Sequence, residues 1–302
     1  MYKTHLSAAI LVVAALSFAS HAQTGTYTCS NFQFITSNNG NPNAIPAASA
    51  VNDFDFVVGS FLNYQQESGF SYPPGGPLSQ YNVPGPALTS FDGINDLGLI
   101  VGWWAESTEP TSGGDGFVLF AGGIPVSIVH PNAQRTWANG INNLGTIVGY
   151  YSPESGGYTG YVLSGGQFKD ISVSGASETQ PAAINDEGVI VGWWSGFSPF
   201  GFIYDNGTFT LEYGPPGTGE LFFSGINDQN EIAGSYLNTN VVGLPPLVGF
   251  VYSGGNYNVV QVPNATGTYT VVNGINNRGD ITGYVQLTNG TEPGFLGTGC
   301  HL

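Results

Sequence analysis

The chain has 302 residues, of which 46 are Gly and 19 are Pro, with 13% aromatic residues and only four Lys or Arg. A formal net charge of −16 at pH 7 argues against nucleic acid and anionic lipid surfaces as partners, since such a field repels polyanions. At 41% apolar the chain has ample material for a core, which argues against a disordered polymer.

In chain order, the first element reads as an export signal. Lys3 and His5 precede the apolar run Leu6 to Ala19, and Ser20-His21-Ala22 is a small-x-small cleavage site. Cleavage after Ala22 removes one of the four basic residues and predicts a soluble, exported protein, in the periplasm or outside the cell. The run is too short to span a bilayer, so no membrane insertion is expected.

A repeat follows. The phrase [GA]-[IV]-N-[DN] begins at Ala50, Gly93, Gly140, Ala183, Gly225 and Gly274, in steps of 43, 47, 43, 42 and 49 residues. Seven residues after each Asn stands a glycine: Gly59, Gly102, Gly149, Gly192, Gly234 and Gly283. A Gly-aromatic pair then begins at 69, 116, 160, 201, 249 and 294, and in the middle units a GG or NG turn precedes a short alternating strand. Each unit therefore reads as strands a to d, with N-[DN]-x-G joining a to b and the GG turn joining c to d. Four strands per period of this length is the mark of a propeller blade, and six copies predict an all-β, six-bladed β-propeller over residues 23–302.

The chain ends complete the pattern. The sixth unit stops at strand c, GFLGTGC, while CSNFQFIT near the start reads as a strand d with nothing before it. The last blade should therefore close on the N-terminal strand, with Cys29 and Cys300 both at the place of the missing hairpin. A Cys29–Cys300 disulfide in an oxidising compartment would replace that turn, worth about 4–5 kcal/mol in the chain-entropy model.

The pattern GINxxGxIVGxY…GFxxxxGxF resembles the bacterial extracellular repeat proteins of the HAF type, over residues 29–300. The His-Ala-Phe element that names the family is Gly-Phe or Gly-Tyr here. The resemblance implies export and repetition and brings no catalytic residues.

Residues present in every unit read as structural. Asn and Asp of N-[DN]-x-G suit a turn, and NDFD (52–55) lacks the spacing of a calcium loop. On strand b, the position two after the glycine (Phe61, Trp104, Tyr151, Trp194, Tyr236, Val285) shares the glycine's face and should pack between blades. The position one after it varies, so Trp103, Tyr150 and Trp193 are the candidate ligand contacts. Antiparallel strands put the repeated a–b and c–d turns on one face of the disc and the variable b–c and d–a loops on the other, where binding usually lives. On that face HPNAQRTW (130–137) holds His130, Arg135 and Trp137, and AESTEPTSGGD (105–115) carries Glu106, Glu109 and Asp115. Arg278-Gly279-Asp280 spells an adhesion tripeptide but occupies the repeated turn. Asn206, Asn264 and Asn289 begin N-x-T sequons, which matter only in a glycosylating host.

The expectation is a monomeric, non-catalytic extracellular binding or surface protein without metal or cofactor, with a glycan or an extracellular protein as partner. The rival is a carbohydrate-active enzyme using Glu106, Glu109 or Asp115 as paired carboxylates.

Overall fold

The computed structural model describes residues 23–36, 45–62, 67–85, 88–106, 114–120, 123–239 and 247–302. The proposed signal segment 1–22 and Glu109 lie outside them. The described residues form 24 strands, β1 (Gln23–Ile35) to β24 (Gly294–His301), and no helix. The fold is all-β and propeller-like. Four sheets have four strands each, in chain order: β2–β5 (45–81), β6–β9 (88–128), β10–β13 (133–171) and β14–β17 (178–212).

The repeated residues explain why the units pack so closely. A Cβ on Gly59, Gly102, Gly149, Gly192, Gly234 or Gly283 would stand 1.9–2.3 Å from a carbonyl oxygen of strand a in the same unit, far inside contact distance. Against the same glycines lie the rings of Phe70, Phe117, Tyr161, Phe202, Phe250 and Phe295, all fully buried. The glycine and the Gly-aromatic pair are thus two halves of one contact, with the ring filling what a side chain would have occupied. The positions expected to pack between blades do so: Phe61, Trp104, Tyr151, Trp194, Tyr236 and Val285 each join a different hydrophobic cluster.

Each repeated Asn does two jobs. The Oδ1 of Asn95 accepts the amide N–H of Leu97 (3.1 Å) and Leu99 (3.0 Å), closing its own turn, while its Nδ2 donates to the carbonyl of Asn142 in the next unit (3.0 Å). The relay continues from Asn142 to Asn185, Asn227, Asn276 and Asn52, and returns to Asn95. An Asp there could accept but not donate, and these side chains are 3–7% exposed. The next residue makes a second closed ring: the amides of Asp53, Asp96, Asn143, Asp186, Asp228 and Asn277 each donate to the following side chain at 2.7–2.8 Å. In NDFD, Asn52 and Asp53 both make turn and ring bonds.

One expectation needs correcting. Six separate sheets were expected, but β1 and β24 join β18 (Thr218–Ile226), β19 (Ile232–Asn238), β20 (Leu247–Ser253), β21 (Asn256–Val260), β22 (Ala265–Ile275) and β23 (Ile281–Leu287) in a single sheet in the order β18-β19-β20-β21-β1-β24-β23-β22. Two links join the groups: β1 starts at Gln23 rather than near Cys29 and so reaches both β21 and β24, and β20 meets β22 in parallel at Leu247↔Tyr269. The first part of β1 runs parallel to β21, and its second pairs antiparallel with β24 from Thr28↔His301 to Ile35↔Gly294. Cys29 and Cys300 are register partners and form the expected disulfide, with a Cα–Cα distance of 3.8 Å.

Candidate functional site

The repeat builds a channel down the middle of the ring. At the face of the repeated turns, a chamber of about 90 Å³ is lined by the Ile-Asn-Asp residues. A second of about 70 Å³ is lined by the residues just before them, among them Asp92, Asn139 and Asn273. Both fall below the roughly 300 Å³ at which ligand pockets begin. The turn mouth is also saturated. Asn143 Nδ2 donates to Asp96 and Asp186 (2.8 and 3.0 Å), and Asn277 Nδ2 donates to Asp53 and Asp228 (3.0 and 2.8 Å), so each amide separates two carboxylates.

The loop mouth is different in each unit. Strand β10 (Ala133–Ile141) carries Arg135 and Trp137, so both lie on a strand and not in the loop that the sequence suggested. Trp137 pairs in register with Tyr150 on β11 (Ile147–Pro153), and their rings stack at 4.8 Å with 17° between planes. The guanidinium of Arg135 lies over Trp137 at 4.9 Å and over Trp103 of the preceding unit at 5.9 Å. Trp103, Arg135, Trp137 and Tyr150 thus form one continuous pile across two units. Tyr158 closes its side, edge-on to Trp137 (5.6 Å) and Tyr150 (5.3 Å). Further round, Trp193 meets Phe222 edge-on at 5.6 Å, and Phe197 on the next b–c connection is fully exposed. Trp103, Trp137, Tyr150, Tyr158 and Trp193 are all half-buried, each offering part of its surface to solvent.

Carboxylates border the pile. The Ser60 and Ser90 hydroxyls lie 2.7 Å apart, and Ser90 Oγ donates to Asp92 Oδ1 at 2.7 Å. Burial pushes Asp92 up to about 7; the nearby Glu67 charge adds to the rise and the Ser90 hydrogen bond opposes it. Glu67 is likewise pushed up to about 7 by burial, against its own hydrogen bond with Ser90. Tyr150 is held far above the ordinary phenol range, first by burial and then by the charges of Asp92, Tyr158 and Glu178, with Arg135 opposing. Asp92, Glu67 and Tyr158 escaped the sequence reading. The one available signal was Asp92's position, where a carboxylate stands among Ser49, Asn139, Ala182, Ser224 and Asn273 in the other units.

The other predicted residues separate. Glu106 is exposed and lines a pocket of about 480 Å³ with Trp104, Ser127, Pro84 and Pro125. Burial raises Asp115, against a hydrogen bond with Ser127, so that serine links the two acids to one pocket. His130 leaves the His-Arg-Trp grouping altogether: 4% exposed, it stacks on Tyr151 at 3.7 Å with Nε2 3.0 Å from Asp170, while Nδ1 accepts the Asn132 amide (3.3 Å). Those contacts make it a packing residue. The tripeptide at 278–280 is not displayed for adhesion, since Asp280 is 3% exposed and accepts from Arg278 Nε (2.8 Å) and the Gly299 amide (2.8 Å).

Among the described residues no group of three or more His, Cys, Asp or Glu has the arrangement of a metal site. No helix among them is long and apolar enough to cross a membrane, which leaves strand-based insertion unaddressed.

Neither a protein-family model nor a curated protein matches the chain. Solved structures do match over most of its length. A putative gluconolactonase is 14% identical with a TM-score of 0.53, covering 95% of this chain and 97% of its own. A gluconolactonase from Xanthomonas campestris is 12% identical with a TM-score of 0.52, covering 91% and 98%. AofleA from Arthrobotrys oligospora is 12% identical with a TM-score of 0.52, covering 94% of each chain. At these identities the likeness speaks to fold alone.

Proposed function

We propose that this chain is an exported six-bladed propeller of the HAF-repeat type whose loop mouth binds a saccharide. The six-blade count counts β18–β21 as one blade and β22–β24 with the second part of β1 as the last. Support comes from the two hydrogen-bond rings, each of which visits six units before closing. Export is supported by the intramolecular disulfide, and N-terminal sequencing of the protein recovered outside the cytoplasm tests it, with Gln23 as the expected first residue.

The binding reading rests on one observation: half-exposed indole and phenol rings are concentrated at the one mouth where the units differ. Sugar C–H faces pack on such rings, and rings already locked by neighbours lose little entropy on binding. Trp103→Ala and Trp193→Ala are expected to weaken a glycan identified on an array at least tenfold by calorimetry, with Tm within a few degrees of the parent. A blank array, or parent-like affinity in both variants, overturns the reading.

A second reading, cleavage of a glycosidic bond, is favoured by the pocket that Glu106 lines with Ser127 and Trp104, where Ser127 also hydrogen-bonds Asp115. That reaction needs a pair of carboxylates, and Asp115, hydrogen-bonded to Ser127 of the pocket wall, is the second acid. Turnover in a broad polysaccharide screen that Glu106→Gln abolishes would decide for it.

A further inference from the structure

We infer that the saccharide held at the loop mouth carries a carboxylate, and that Arg135 receives it. This rests on the binding reading above and adds the chemical class of the ligand.

Residues 23–302 contain three basic side chains, and the structure uses two of them locally. Arg278 pairs with Asp55 and Asp280 on the turn face. Lys169 lies on β13 (Gln167–Ile171), where its Nζ donates to the Tyr204 hydroxyl (3.3 Å) and sits 5.9 Å from that ring's centre. Arg135 stands apart. Among the described residues it has no ion pair, although the chain carries twenty carboxylates. Its Nε is buried and has no hydrogen-bond acceptor.

The acids in its neighbourhood are engaged elsewhere. Asp92 accepts from Ser90, and Glu178 accepts from Gln180 Nε2 at 3.2 Å. A buried guanidinium donor without an acceptor costs free energy, and a native fold that retains one needs a reason. The surroundings hold the group in place. Two indole rings lie within 4.9 and 5.9 Å of its Cζ, and a Cβ on Gly114 would come within 3.3 Å of Nε and Nη2, so the absence of a side chain there leaves the guanidinium its room.

Aromatic neighbours offer no oxygen acceptor to the N–H donors along the edge of a guanidinium, and Nε has none. That edge matches the two oxygens of a carboxylate, which Arg binds as a fork and Lys binds only as a point charge. A neutral sugar needs no such group. A cationic ligand would be served better by the carboxylates in which this chain is rich.

The test uses calorimetry on the full chain with three probes: a tetramer of galacturonic acid, the same tetramer with its carboxylates methyl-esterified, and a sulfated tetrasaccharide. The expected result is at least tenfold tighter binding of the free acid than of the ester. Arg135→Gln should erase that preference, and Arg135→Lys should restore only part of it. Equal binding of acid and ester by the parent, or a preference that survives Arg135→Gln, overturns the inference while leaving the binding reading intact. Preference for the sulfated probe over the acid also overturns it, in favour of sulfate. If none of the three binds and the array is blank, both fall together.

Discussion

The two mouths of the channel are built from the same six units and have opposite characters. At the turn mouth, every unit contributes an Asn and an Asp or Asn, and each ring bond has its counterpart in the next unit. At the loop mouth, the equivalent pairs of strand a and strand b residues are Ala47 and Ser60, Ser90 and Trp103, Trp137 and Tyr150, Gln180 and Trp193, Phe222 and Ser235, and Val271 and Tyr284. No two are alike. Identical positions can satisfy one another around a ring and leave nothing over. Unlike positions leave donors, edges and charges unspent, as at Arg135 and Trp194, whose indole N–H is also without a partner. Repetition here marks the scaffold, and its breakdown marks the surface available to a ligand.

The comparison can be broken most directly at the turn mouth. Asn142→Asp removes the donor to the Asn185 carbonyl and sets a buried carboxylate against it. The expected loss is about 2–4 kcal/mol in urea unfolding. Trp103→Ala at the other mouth is expected to cost less than about 1 kcal/mol, since its ring is half-exposed. Similar losses at the two sites would remove the distinction.

Next in size is a pH effect confined to the loop mouth. Asp92 and Glu67 are raised to about 7, so the folded chain holds protons that the unfolded chain releases near pH 4. Stability should therefore be greatest below pH 4 as far as these groups are concerned, and fall as pH rises through 7. Asp92→Asn should flatten part of that slope and gain about 1 kcal/mol at pH 8, a figure reduced for partial solvent access. A parent-like slope in the variant would show that the burial of Asp92 has no such consequence.

The smallest expected effect sharpens the picture of the ring. Asn143 supplies the amide that separates Asp96 from Asp186. Asn143→Asp would place five carboxylates in succession, from Asp53 to Asp228, and cost about 1 kcal/mol at low ionic strength, with much of the loss recovered in 0.5 M salt. A loss indifferent to salt would point to the missing donor rather than the added charge.

Much of the scaffold was legible because its causes are local and repeated. The Asn of the turn, the strand b glycine and the Gly-aromatic pair recur in fixed register, and aligning the chain ends with the repeat was enough to pair Cys29 with Cys300. The merging of the last two groups of strands was not legible. It depends on residues 23–27 lying parallel to β21 and on Leu247 meeting Tyr269, and QTGTY carries no pattern that announces a partner strand. The loop mouth was half legible. Trp103, Tyr150 and Trp193 stood out because their position varies, but what surrounds them belongs to other units. Arg135 reaches Trp103 across a unit boundary, and Asp92 and Glu67 acquire their raised proton affinity only from burial in the assembled ring. His130 misled for the same reason: its partner Asp170 lies on an outer strand 40 residues away.

The long first strand has a consequence for how the molecule comes into being. A ribosome makes β1 long before β24, so the second half of β1 must wait for its partner strand. Cys29 is separated from Cys300 by 271 residues, and no truncated chain has a thiol to offer it. Closure is therefore a proofreading event. Only a chain made as far as Cys300 can be locked, and one that stops before it is left with an open seam and an unpaired Cys29.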